Sequence, residues 1–187
     1  MKKIDRRVLR TQESLGNALV DLTLELGYDA ITIKQLTQQA NIGYATFFRH
    51  FKSKDELLMN VLQSVLEDLF EVMKPEMTSY NQALVMFEYV KENSRTYRVF
   101  IDLPRDSELF HAVYDTVANS IRKTYVARDE NLIPMAIAVN HIVTSITELI
   151  RWWILNDMEI SPEKMATIQS ELIIKATELV ALDRIEG

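Results

Sequence analysis

Apolar residues recur along this chain at spacings of three, four and seven, the period of a helix with one face turned inward. Val8, Leu15, Leu19, Leu22 and Leu26 predict an amphipathic helix over 6–26, closed by Gly27 as a left-handed C-cap with Tyr28 following. Thr32-Ile33-Lys34-Gln35 has the Thr-x-x-Gln form in which the first and fourth side chains each accept the other's backbone N–H, so a short second helix starts at Thr32. A third short helix spans 44–50. A fourth, over 53–73, opens on Ser53-Lys54-Asp55-Glu56, a second such box. It carries Leu58, Val61, Leu62, Val65, Leu69 and Met73 on one face and is ended by Pro75. Further helices are expected at 79–102, 106–127, 132–156 and 162–182, divided at Pro104, Asn131 and Ser161-Pro162, where Pro162 takes the first helical position behind a Ser cap. The fold class is all-α.

Composition narrows this picture. Four Gly and four Pro in 187 residues leave little material for the frequent turns of sandwiches and barrels. Gly16, Gly27, Gly43 and Gly187 stand too far apart for a phosphate-cradling loop. The absence of Cys excludes a disulfide scaffold, a thiolate zinc site and a Cys nucleophile. With 48% apolar and 9% aromatic residues a packed core is expected rather than disorder. The longest unbroken apolar run, Leu132 to Val139, is far short of a membrane span, and no signal-peptide stretch follows the basic residues 1–7. A soluble cytoplasmic protein with no membrane partner is expected.

The net charge of −6 argues at first against a polyanion partner, but its distribution reverses the argument. Residues 1–54 hold nine Lys and Arg against five Asp and Glu, a balance of +4, while the remainder carries −10. A basic head on an acidic body suits a polyanion at the head alone. The division is drawn at 56/57, giving domains 1–56 and 57–187. It falls inside the fourth helix, and two domains that share a helix move together.

Within the head, Ile33, Leu36 and Ala40 give the second helix an inward face, and Ile42, Phe47 and Phe51 do so for the third. Asn41 occupies the tight turn between them, where a left-handed residue is needed. Between the apolar positions of the third helix lie Tyr44, Ala45, Thr46, Arg49 and His50, a face without a carboxylate. Such a helix can enter a major groove, which repels acids and offers base edges to Arg, Thr and Tyr. Taken singly, Tyr44 and Phe48 are more often packing aromatics than base readers, and Lys34, Arg49 and Lys54 could be solvated surface charges.

The series Gly27-Tyr28, Thr32-Ile33, Leu36, Ala40-Asn41-Ile42, Thr46-Phe47-Phe48, His50-Phe51, Ser53-Lys54 and Leu57-Leu58 resembles the DNA-binding head of the TetR family of bacterial repressors, over residues 6–60. The resemblance implies a three-helix DNA-binding head with a helix-turn-helix on a helical-bundle regulatory and dimerisation domain. It further implies a homodimer on a near-palindromic operator in double-stranded DNA, released by a small molecule. Carried over by position, Thr32 caps the motif and reaches a phosphate, and Lys34 touches a phosphate or groove-edge base. Tyr44, Ala45 and Thr46 open the recognition helix, Arg49 and His50 follow on it, and Lys54 meets a phosphate at the start of the fourth helix. Three positions depart from the family: Asn41 replaces its turn Gly, Gly43 its Ser-like cap, and Phe48 its Tyr. Loss of that hydroxyl removes a phosphate hydrogen bond and leaves Phe48 as a packing residue.

Segments 86–101 and 149–165 resemble a C-terminal domain of TetR-type regulators from Gram-positive bacteria. An apolar or aromatic effector would find its wall among Met86, Phe87, Tyr89, Val90, Tyr97, Phe100, Phe110 and Tyr114, although the same residues at helical spacing also suit a core. Asn140, His141, Thr144, Ser145, Glu148 and Arg151 form a polar stripe, with Glu148 and Arg151 as a modest pair. His111 and Asp115 are only two candidate ligands, so neither a metal nor a cofactor is expected. Met165, Ile168, Leu172, Ala176, Leu179 and Leu182 form an apolar seam that, with helix 132–156, suits a four-helix dimer interface. An enzyme is disfavoured because His141, Ser145 and Glu148 ride one helix and cannot converge on one substrate atom. The expected function is a DNA-binding regulator, a repressor released by an effector. The alternative is a DNA-bound regulator controlled by a protein co-regulator.

Overall fold

The structure, a computed structural model, describes residues 6–74 and 76–185. Helix α1 (Arg6–Leu26) ends at Gly27, whose N–H donates to the Thr23 carbonyl at 2.9 Å. Gly27 has the positive φ expected of it, 80°, but a ψ of 145° carries the chain out of the left-handed helical region into a 3₁₀ turn, Tyr28–Ala30. In α2 (Ile33–Gln39) the Thr32 hydroxyl accepts the Gln35 N–H at 3.2 Å and the Gln35 side chain accepts the Thr32 N–H at 2.9 Å, the reciprocal cap its sequence predicts. Asn41 turns the chain with φ 53° into α3 (Tyr44–His50). The cap of α4 (Lys54–Val72) is shifted from expectation. Ser53 Oγ accepts the Glu56 N–H at 3.1 Å, but the Glu56 carboxylate accepts the Lys52 N–H rather than that of Ser53. Pro75, the expected terminator, lies outside the described residues, as do Lys2 and Lys3.

Helix 79–102 is two helices. Asn93 ends α5 (Ser79–Glu92) by donating from its amide to the Tyr89 carbonyl at 3.0 Å, and α6 (Ser94–Ile101) follows. Ser107 caps α7 (Glu108–Thr124). The expected continuation to 127 is instead strand β1 (Tyr125–Ala127). After α8 (Met135–Leu155), Asp157 and Met158 both take positive φ, and Ser161-Pro162 starts α9 (Pro162–Gln169) as its sequence predicts. The last helix is then interrupted by a π-helical segment, Ser170–Lys175, resumes as α10 (Ala176–Val180), and gives way to β2 (Leu182–Arg184). The two strands pair antiparallel, Val126 opposite Asp183. Three residues are too few for a period-two pattern to show in a sequence otherwise read at 3.6.

The backbone falls into two compact units, residues 6–65 with 95–103, and 66–94 with 104–185. The boundary drawn at 56/57 falls within the first. That unit is built on Leu15, Leu19, Leu36, Phe47, Leu57 and Leu58, all fully buried. Gly16 lets α1 approach α4 closely: a Cβ there would stand 3.0 Å from Val61. Arg95 also pairs with Asp21 at 2.5 Å within this unit.

In the second unit α5 lies along α9, and α7 along α8. Tyr125, Ala138, Ile142, Ile173, Ile174 and Leu182 form one core cluster. The Tyr125 hydroxyl donates to Glu178 at 3.0 Å; burial first, and then the Glu178 carboxylate, push its pKa from 10.0 up to about 12. A raised folded-state pKa means that the stabilisation is fully present below pH 10 and is lost as pH rises towards 12. Chemical denaturation at stepped alkaline pH should therefore show a shallower loss of stability over that interval for Tyr125→Phe than for the wild type. An unchanged slope would mean that Tyr125 ionises as freely folded as unfolded.

Candidate nucleic-acid interface

The third helix is fixed from beneath. Phe47 is fully buried, its ring centroid 6.0 Å from that of Phe51, which is also buried. With that side chain inward, Tyr44, Ala45, Phe48 and Arg49 are exposed, and Thr46 and His50 are half-buried. Gly43 begins the helix without a side-chain cap, its carbonyl accepting from Thr46 N–H at 2.8 Å. The exposed face carries no carboxylate, and Arg49 and His50 lie in its last turn. The side chains of Arg49 and of the exposed Lys34 on α2 make no hydrogen bond or ion pair among the described residues. The arrangement can present donors, a cation and aromatic edges to an anionic partner together.

Two residues behave differently from the sequence reading. Lys54 Nζ donates to the Tyr28 carbonyl at 2.6 Å and the Ile31 carbonyl at 3.1 Å, and it stands 4.2 Å from the Tyr28 ring centroid. Two of its three N–H groups therefore join the start of α4 to the chain between α1 and α2. The Tyr28 hydroxyl in turn donates to Asp55, and burial followed by this carboxylate raises the tyrosine's pKa. Phe48 is only partly a packing residue: its ring meets those of Phe47 and Tyr44, yet it is 47% exposed on the outer face of the helix. Its position four residues after the outward Tyr44 was the sequence signal for this.

The candidate effector residues differ in burial and in the unit they belong to. Met86, Phe87 and Val90 are buried on α5, Phe87 edge-on to Trp153 at 5.2 Å. Tyr89, Phe110 and Tyr114 are half-buried in the same unit, and Tyr97 and Phe100 belong to the other. The polar stripe on α8 pairs outward: Tyr114 donates to Asn140 at 2.8 Å, and Glu148 pairs with Arg105 rather than Arg151. His111 lies against the Ser107 carbonyl at 2.9 Å, not Asp115, and no group of three metal-ligating side chains occurs among the described residues. The apolar seam divides. Met165 and Leu182 are fully buried core, whereas Leu172 is 70% and Leu179 73% exposed. Ile137, Trp152 and Leu155 are exposed on α8. No described helix is long and apolar enough to cross a membrane.

Comparison with known proteins agrees with this geometry. Residues 17–61 match the bacterial regulatory proteins of the tetR family, and residues 77–175 match a transcriptional regulator C-terminal region of the same family. The uncharacterized HTH-type transcriptional regulator YxbF of Bacillus subtilis (strain 168) is 41% identical over 71 residues, 37% of this chain and 19% of that protein. The HTH-type dhaKLM operon transcriptional activator DhaS of Lactococcus lactis is 23% identical over 108 residues, 58% of each. The matched stretches cover less than two thirds of either curated relative's length. A solved TetR transcriptional regulator from Streptococcus agalactiae 2603V shares the fold with a TM-score of 0.68 at 20% identity, over 90% of this chain and 96% of that one.

Proposed function

This chain belongs to the TetR family of bacterial regulatory proteins, and on that premise we propose that it acts as a homodimeric repressor on a near-palindromic operator. The observation that carries the reading is the carboxylate-free outer face of α3, held outward by the buried Phe47. In this reading Tyr44, Ala45, Thr46, Arg49 and His50 meet base edges or adjacent phosphates. Thr32, Lys34 and the remaining N–H of Lys54 meet backbone phosphates.

Base readers and phosphate contacts differ in what their loss does. Arg49→Ala or Tyr44→Ala is expected to relax preference at particular base pairs, each lost contact costing on the order of 1–3 kcal/mol. Lys34→Ala is expected to weaken all duplexes alike and to lower the salt dependence by about one unit of slope. Lys34 isolates the phosphate contribution better than Lys54, whose removal also frees two carbonyls inside the head. Titrating operator variants at several salt concentrations tests both; uniform weakening by Arg49→Ala and Tyr44→Ala would remove direct readout from these residues.

Dimerisation in this reading uses the exposed apolar residues of α8 and the last helix, Leu172 and Leu179 among them. An apolar or aromatic effector that releases the DNA would use Tyr89, Phe110 and Tyr114, which keep exposed surface, more readily than the packed Met86 and Phe87. Thermal-shift screening followed by operator titration tests this part. Compounds that bind tightly and leave operator affinity unchanged would contradict effector release.

A further inference from the structure

The third helix carries an apolar side chain, Phe48, on its exposed face. Phe48 is 47% exposed, and Tyr44, four residues before it, is 56% exposed. The two rings meet edge-on with centroids 5.2 Å apart, and the Phe48 ring also stands edge-on to the fully buried Phe47 at 5.2 Å. Phe48 is therefore outward, with the core ring of Phe47 against one side and the ring of Tyr44 against the other. It has neither donor nor acceptor, so it contributes nothing to a phosphate or to the polar edge of any base. If α3 lies in a major groove, the apolar group on a base edge that this ring can cover is the 5-methyl of thymine. We propose that Phe48 reads a thymine methyl in each operator half-site and is a specificity-determining residue of this chain.

The proposal rests on α3 being the recognition helix, and it deepens that reading by naming the base. Charge supports the occupant: the helix holds Arg49 and His50 and no acid, so the exposed aromatic edge faces a polyanion without repulsion. The methyl can be removed from the DNA without altering the protein. Deoxyuridine pairs as thymine does and presents the same hydrogen-bonding groups, so replacing each thymine in turn isolates the apolar contact.

The experiment uses the full chain and an operator obtained by selection from random duplexes. At one symmetry-related thymine position, uracil should weaken wild-type binding about fourfold per half-site and roughly fifteenfold when both are replaced. These are the fold-changes that about 0.8 kcal/mol per buried methyl corresponds to. Phe48→Ala should bind the thymine and uracil operators equally at that position, and Phe48→Leu, which keeps an apolar side chain there, should still favour thymine. Uracil that is silent at every position for the wild type would overturn the proposal and leave the ring on deoxyribose. Phe48→Ala retaining the full thymine preference would move the contact to another residue. Failure to select any sequence at all would instead strike the recognition-helix reading itself.

Discussion

Replacement of Trp153 by alanine is expected to destabilise the protein by about 3–5 kcal/mol, the range for emptying a buried tryptophan site. Its side chain is fully buried, edge-on to Phe87 at 5.2 Å, and its indole N–H donates to the Ile160 carbonyl at 2.7 Å. Alanine would thus empty the contact between α5 and α8 and leave a carbonyl without its donor. That carbonyl lies in the turn where Asp157 and Met158 are held at φ 52° and 53°, conformations non-glycine residues seldom adopt. Against a total stability on the order of 5–15 kcal/mol, the loss leaves the protein marginal. Trp153→Phe, which keeps the ring and loses the hydrogen bond, should cost distinctly less. Urea unfolding of the three proteins checks the order; an alanine variant within 1 kcal/mol or so of the wild type would show that the site collapses without penalty.

A second large effect is expected at the exposed seam. Leu172 and Leu179 are largely exposed in the isolated chain, so a charge at either position should change its folding stability by no more than about 0.5 kcal/mol. In a dimer that covers both, the same carboxylate would be buried without a partner, at a cost of several kcal/mol. Leu172→Glu combined with Leu179→Glu should therefore yield monomers of unchanged helicity. Operator affinity should fall by two or more orders of magnitude, because one head reaches only one half-site. Sedimentation that still shows a dimer would place the interface elsewhere.

Much of the head was legible because its signals are local. The Thr32 cap, the left-handed Asn41 and the limits of α3 each depend on a few neighbouring residues, and the structure holds all three as read. The body was less legible where tertiary pairing decides. Tyr125 to Ala127 continue a helical period but become a strand because Leu182 to Arg184 lie alongside. Through the π-helical Ser170–Lys175 the buried positions recur every four residues, Met165, Gln169, Ile173, Thr177 and Ala181, so Leu172 and Leu179 of the expected seam face outward. At the site, one-dimensional pattern located the outward face of α3 but not the state of its members. Lys54 turns to the carbonyls of Tyr28 and Ile31, more than twenty residues away, and Phe48 turns outward because Phe47 takes the inward place.

The central claim is that this chain reads a symmetric DNA site through α3. Selection of random duplexes by the whole 187-residue chain tests it most directly. The account predicts enrichment of an inverted repeat whose half-sites lie one helical turn apart, about 34–36 Å, and loss of that enrichment with Arg49→Ala. Recovery of no sequence above background, or of a site that Arg49→Ala selects equally well, would contradict it.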